Sequence, residues 1–321
     1  MAGVRVSRWM VLHADDFGMN KAVNAGILQS FRDGILTSTS LLANAPAAEE
    51  ACREWPRLMA DLRAESISSA TRRRKLSDHL TPFDLGIHLN LTQGHPLSAG
   101  YPSELLNEKG EFPGIGPVFR HLRSPRSRFR ETIQKELELQ IERMGEFGVT
   151  PTHLNGHQYV EMMPAVATLV PSLMEKYSIP VVRVAYETHL VRTVLMEGRA
   201  APFAVALVKR HFARRFRRQN RFAAPARFFG TAHAGLVSRS RFESFVRFSS
   251  PHNCTEIGLH PATVPQQDTS GPHDAWFDPL ANLRPEELAW LCDESTPDIL
   301  VSHHQSLGRL HQIPSSDSQA T

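Results

Sequence analysis

Four short segments set acids and histidines against apolar, strand-like runs: Ala14-Asp15-Asp16-Phe17-Gly18, Gly86-Ile87-His88-Leu89-Asn90-Leu91-Thr92, Thr152-His153-Leu154-Asn155-Gly156-His157 and Glu256-Ile257-Gly258-Leu259-His260-Pro261. In the first, one carboxylate of the Asp15-Asp16 pair could hold a metal while the other takes a proton; alone, the pair reads as an acidic lead into a helix. In the second, alternation puts His88, Asn90 and Thr92 on one face, which suits either ligation or a core histidine bonded to a carbonyl. His153 and His157 have the spacing of a helical ligand pair, but Pro151 and Gly156 argue against a helix. A strand breaking at Gly156 would aim the two rings differently, so one is expected to ligate and the other to orient substrate or a neighbouring ligand; both could instead be surface-turn histidines. His260, fixed by Pro261 at the end of an apolar run, suits a general acid or plain packing. Jointly, one carboxylate and two imidazoles meet the needs of a catalytic divalent ion: Zn, Mn, Co or Ni, or Mg in a wetter site.

These segments need elements to position them. Val4 to Leu12 reads as a strand, residues 13–18 as a loop, and Val23, Ile27 and Phe31 as one stripe of a helix capped by Asn20 and stopped near Gly34. Strands follow at 35–42, 83–92, 149–154, 181–184 and 255–261, with a last one at 299–301. Helices are expected at 46–62, at 129–147, where Ile133, Leu137, Ile141 and Met144 share a stripe, and at 164–177 and 284–292. Strands alternating with helices, and ending in Asp or His, predict an α/β fold: a single-domain distorted TIM-like (β/α) barrel over residues 1–313, with its site at the strand C-terminal rim. Residues 66–80 read as a solvated, flexible insertion and 314–321 as a mobile tail.

A hydrophobic content of 41% excludes a wholly disordered chain, and no apolar run reaches the roughly 18 to 20 residues of a membrane span. The N-terminus meets its acidic pair before a leader-like segment develops, so a mature, soluble, cytoplasmic protein is expected. The net charge of +3 is too small to imply a polyanion partner, and Cys52, Cys254 and Cys292 lack the spacing of a disulfide framework or thiolate zinc site. The basic segment 209–229, interleaving Arg with Phe, could bind single-stranded nucleic acid or an anionic membrane; the favoured reading is an amphipathic barrel helix with a solvated basic face. Tyr101, Phe112, Tyr159 and Trp276 could stack on a sugar, with core or loop packing the more ordinary role. A homo-oligomer is compatible with the sequence.

In their order, the four segments resemble the YdjC-like carbohydrate deacetylases, also called the ChbG/HpnK family, over residues 9–305. The resemblance implies a TIM-like barrel that removes an acetyl group from an N-acetylated sugar with a divalent metal. It implies Asp16, His88 and His157 as ligands, Asp15 as base and His260 as acid, with His153, Asn155 and Asn90 behind them or against substrate. Three positions depart from the family pattern: Asn155 stands where Asp is usual, Tyr159 where His is frequent, and Ala262 where Gly is common. Asn155 removes a charge that could orient a histidine, so an inactive barrel is the alternative, alongside a basic-surface binding protein.

Overall fold

The computed structural model describes residues 9–64, 83–187, 200–249, 254–264 and 276–313, so the expected insertion at 66–80 and tail at 314–321 lie outside the described residues. Among the described residues, eight strands are all paired in parallel: β1 (Trp9–Phe17), β2 (Ser38–Leu41), β3 (Asp84–Leu89), β4 (His153–Gly156), β5 (Val181–Val182), β6 (Arg227–Phe229), β7 (Thr255–Leu259) and β8 (Ser306–Leu307). Their order is β5-β4-β3-β2-β1-β7-β6, with β8 also on β1. A parallel bridge from Val181 to Ala223, just ahead of β6, joins the two ends of this path. The result is the expected distorted (β/α) barrel. Its strands are buried on both faces, which is why they read as apolar runs.

The barrel interior changes character with depth. Val11, Val181, Ala223, Cys254 and Leu310 form an apolar plug at one end. Above it lie His13, Ser38, Ser40, His153, Asn155, Arg183 and Glu256, each essentially inaccessible to solvent. Such an interior is tolerable only where polar groups find one another.

This polarity explains why the sequence places the end of β1 too early. His13 to Phe17 is expected as loop, yet the strand runs on, with His13 opposite Ser38 and Ala14 opposite Thr39. Hydrophobicity stops marking the strand where its inward residues become polar. The helix Lys21–Arg32 follows, and Asn20 caps it by accepting from Val23 N at 2.9 Å, as expected.

Three other expectations need correction. Ile299–Val301 is not a strand but part of the helix Thr296–Ser302, and the last strand is Ser306–Leu307; a three-residue apolar run carries no period that separates the two. The helix expected over 164–177 is two, Pro164–Ala167 and Val170–Lys176, the second with Pro171 in its first turn. Within the basic segment, Ala200–Gln219 is helical with Ala213 and Phe216 buried and Arg214, Arg215, Arg217 and Arg218 exposed, the solvated basic face expected, but Arg227–Phe229 is strand β6.

Candidate metal centre

Neighbouring residues on a strand point to opposite faces, so Asp15 and Asp16 could not both face one site on regular backbone. The β1–β2 register shifts between Ala14 and Phe17, and Asp16 adopts φ 71°. This bulge re-aims the second carboxylate, at a cost an Asp tolerates better than most residues.

Asp16 Oδ1 lies 2.9 Å from His157 Nδ1 and 3.5 Å from His88 Nε2. The three residues are buried, and one potential ligand atom from each lies within 4.8 Å of the others. Atoms each about 2 Å from one tetrahedral ion are separated by roughly these distances. The outer nitrogens of both imidazoles are engaged. His88 Nδ1 donates to Asn155 Oδ1 at 2.7 Å, and His157 Nε2 donates to Gln93 Oε1 at 3.0 Å. Both amide orientations follow from chemistry: Asn155 Nδ2 faces Asp15 Oδ1 at 3.2 Å and Gln93 Nε2 faces the Phe277 carbonyl at 2.5 Å, and neither oxygen can donate. The outer nitrogens therefore carry protons, so that each ring, when neutral, presents its lone pair on the side of Asp16. A carboxylate and two correctly tautomerised imidazoles fit a divalent ion.

Asn155 does in this chain what Asp could not do when ionised, donating to Asp15 while accepting from His88. Asn155→Ala is therefore expected to weaken metal affinity about 10- to 100-fold, as losing a ligand's outer partner does; titration with zinc against a chromogenic chelator measures it, and unchanged affinity would contradict the role.

Each Asp is also clamped by a buried arginine that a second carboxylate holds in turn. Arg183 Nη1 reaches both Asp15 oxygens at 2.8 Å, while its Nε meets Glu256 Oε1 at 2.8 Å. Arg284 Nη2 reaches Asp16 Oδ2 at 2.7 Å, while its Nε meets Asp278 Oδ2 at 2.8 Å. Burial alone would push both aspartates up. Arg183 with His88 outweighs it at Asp15, and Arg284 with His157 at Asp16, holding each well below the usual carboxylate range. Burial pulls His88 down, but Asp15 and Asp16 outweigh it and leave it raised, the mark of a site that attracts positive charge.

His260 Nε2 lies 3.9 Å from Asp15 Oδ2, and its backbone N–H is held by the Glu287 carboxylate. Burial lowers its pKa to about 4, so the ring is neutral near pH 7. His153 and His157 differ in depth: His153 packs edge-on to His13, ring centroids 4.9 Å apart, and bonds Thr152 Oγ1, well away from Asp16. The strand does not break at Gly156, which is extended; a Cβ added there would collide with the Glu161 carboxylate. The break comes after His157, where Gln158 and Tyr159 take positive φ. Asn90 bonds Asn44 Oδ1 and the Gln93 carbonyl, and so shapes the loop that carries Gln93.

His13, Gln93, Glu161, Arg183, Glu256, Asp278 and Arg284 escape the sequence reading. Strand alternation links His13 to Asp15 and Glu256 to His260, and a lone Arg183 within Val181-Val182-Arg183-Val184 is itself a signal. Nothing marks Arg284 or Gln93.

Glu161 is fully buried, and neither carboxyl oxygen has a hydrogen-bond partner among the described residues. Burial pushes its pKa from 4.5 to about 8. Between those values the folded state holds a proton that the unfolded chain has lost, so this residue makes stability fall as pH rises through that window. Glu161→Gln, uncharged throughout, is expected to flatten the fall in Tm between pH 5 and 8; an unaltered wild-type slope would contradict this.

Fold and site together define a β/α-barrel protein whose strand C-terminal rim gathers one carboxylate and two imidazoles that could hold a cation. The chain belongs to the YdjC-like protein family, which matches residues 10–302. A carbohydrate deacetylase of Geobacillus stearothermophilus is 32% identical over 286 residues, covering 89% of this chain and 90% of that protein. A carbohydrate deacetylase of Clostridium beijerinckii is 31% identical over 172 residues, 54% of this chain and 58% of that protein. Among solved structures, an Enterococcus faecalis V583 protein, provisionally described as a cellobiose-phosphate cleavage protein, superposes with a TM-score of 0.65 at 19% identity, covering 95% of this chain and 98% of that one. That likeness shows the fold.

Proposed function

We propose that this protein is a metal-dependent carbohydrate deacetylase that hydrolyses the acetamide of an N-acetylated sugar, releasing acetate and an amino sugar. The observation that carries the reading is the convergence of Asp16, His88 and His157 from three separate strand ends, beside a second carboxylate already oriented by Arg183. The Geobacillus relative, matched over nine-tenths of both chains, supports the same chemistry.

Asp16, His88 and His157 hold the ion, with zinc and magnesium the first to test. When bound, a divalent ion polarises the acetamide carbonyl and acidifies water. Asp15, aimed by Arg183 and Asn155, accepts the proton of the attacking water. A carboxyl held so low gives that proton up readily, and neutral His260 stands 3.9 Å away to receive it. His260 then delivers it to the departing nitrogen, so that the C–N bond breaks to amine and acetate. His153, Asn155 and Asn90 support these groups without touching the reacting atoms.

No described helix is long and apolar enough to cross a membrane. We place the reaction in the cytoplasm. The test is acetate release across a panel of N-acetylated mono- and oligosaccharides, with and without chelator. Chelator-sensitive release supports the reading; a metal-loaded protein that frees acetate from none of them overturns it.

A further inference from the structure

We propose that Phe277 is a stacking platform for a sugar ring adjoining the one that carries the acetamide. The inference rests on the deacetylase reading and adds a binding residue to it. Three contacts fix the backbone around Phe277. Its own carbonyl accepts from Gln93 Nε2, and Gln93 Oε1 accepts from the ligand candidate His157. The next residue, Asp278, holds Arg284, which in turn holds Asp16. The preceding residue, Trp276, lies against Gly94: that glycine has φ 71°, and a Cβ there would fall 2.6 Å from the indole. The segment is therefore tied through Gln93 and Arg284 to two of the three candidate ligands.

Within this fixed segment the Phe277 side chain alone is left unpacked, with 74% of its surface exposed. An aromatic ring gains by burial, and one whose backbone carbonyl is bonded to a partner of His157 is placed to offer its face to a ligand entering there. A pyranose ring offers one: its axial C–H bonds make a flat apolar face while its hydroxyls stay at the edge in water. Depth decides which ring. Asp16, His88 and His157 are only 2%, 2% and 8% exposed, so the acetamide must reach inward to them, and a ring on Phe277 lies further out. The remaining aromatics singled out from sequence are spent on packing: Tyr101 meets Phe112 at 5.5 Å and Tyr159 meets Phe228 at 6.2 Å, both edge-on.

The test is calorimetric binding of N-acetylglucosamine and its β-1,4-linked dimer and trimer to the zinc-loaded full chain, wild type against Phe277→Ala and Phe277→Trp. Phe277→Ala is expected to weaken the dimer and trimer about tenfold and the monomer less than twofold, with Phe277→Trp restoring affinity. Equal affinities for wild type and Phe277→Ala, in a protein that releases acetate, overturn the platform and leave the deacetylase reading standing. A wild type that neither binds these sugars nor releases acetate overturns both.

Discussion

Asp16→Ala is expected to lose bound metal and acetate release together, with activity falling about a thousandfold or more. The expectation follows from how little can replace this side chain. Its Oδ1 is the atom on which both imidazoles converge, at 2.9 and 3.5 Å, and it is the one anionic member of the candidate ligand set. Two neutral imidazoles alone would offer a divalent ion neither charge balance nor a third donor. The fold should survive, because Arg284 keeps Asp278 when Asp16 is removed, so its guanidinium is not left as a lone buried charge. Elemental analysis of purified protein and an acetate assay separate the outcomes. His88→Ala should behave likewise. Wild-type metal content in either variant would place the ion elsewhere, and full activity without metal would remove it from the chemistry.

How legible this centre is in the sequence depends on the kind of residue. The candidate ligands stand out because each lies at the end of an apolar strand, where polar side chains meet at the rim of a barrel. The barrel is legible for the same reason: strands buried on both faces announce themselves as short apolar runs between amphipathic helices. What stays hidden is whatever depends on depth or long-range partnership. His13 is unremarkable in a line of residues but sits among Ser38, Ser40, Asp15 and Asn155 once the ring closes. Arg284 begins a helix 268 residues from Asp16, and no local pattern connects them. Gln93 looks like any loop amide until its two ends are seen bonded to His157, a candidate ligand, and to the backbone of Phe277. The segment Ile299–Val301 fails differently, because so short a run is compatible with helix or strand and only its packing decides.

Arg183→Met should expose another long-range partnership of the barrel interior in two measurements at once. The residue is wholly buried and bridges Asp15 to Glu256, so methionine fills its volume but leaves two interior carboxyls without their cation. Breaking a buried pair in this way costs about 3–5 kcal/mol, which urea denaturation would read directly. Glu256, already pushed up by burial against the pull of Arg183, should take a proton in the variant and recover part of that loss. Asp15 is different. In the wild type its depressed pKa contributes stability that is present above the unfolded carboxylate value and is lost as pH falls through the folded one. Without Arg183 that reserve shrinks, so acid denaturation begins at higher pH, and the acid limb of the kcat profile moves upward as Asp15 becomes harder to ionise. Arg183→Lys should fall between the two, since one ammonium cannot bond both Asp15 oxygens and Glu256 with the geometry of a guanidinium. Glu256→Gln keeps Arg183 on Asp15 and should leave the acid limb in place. A limb that is the same in all three variants would mean that Asp15 is not the proton acceptor, whatever its contribution to the fold.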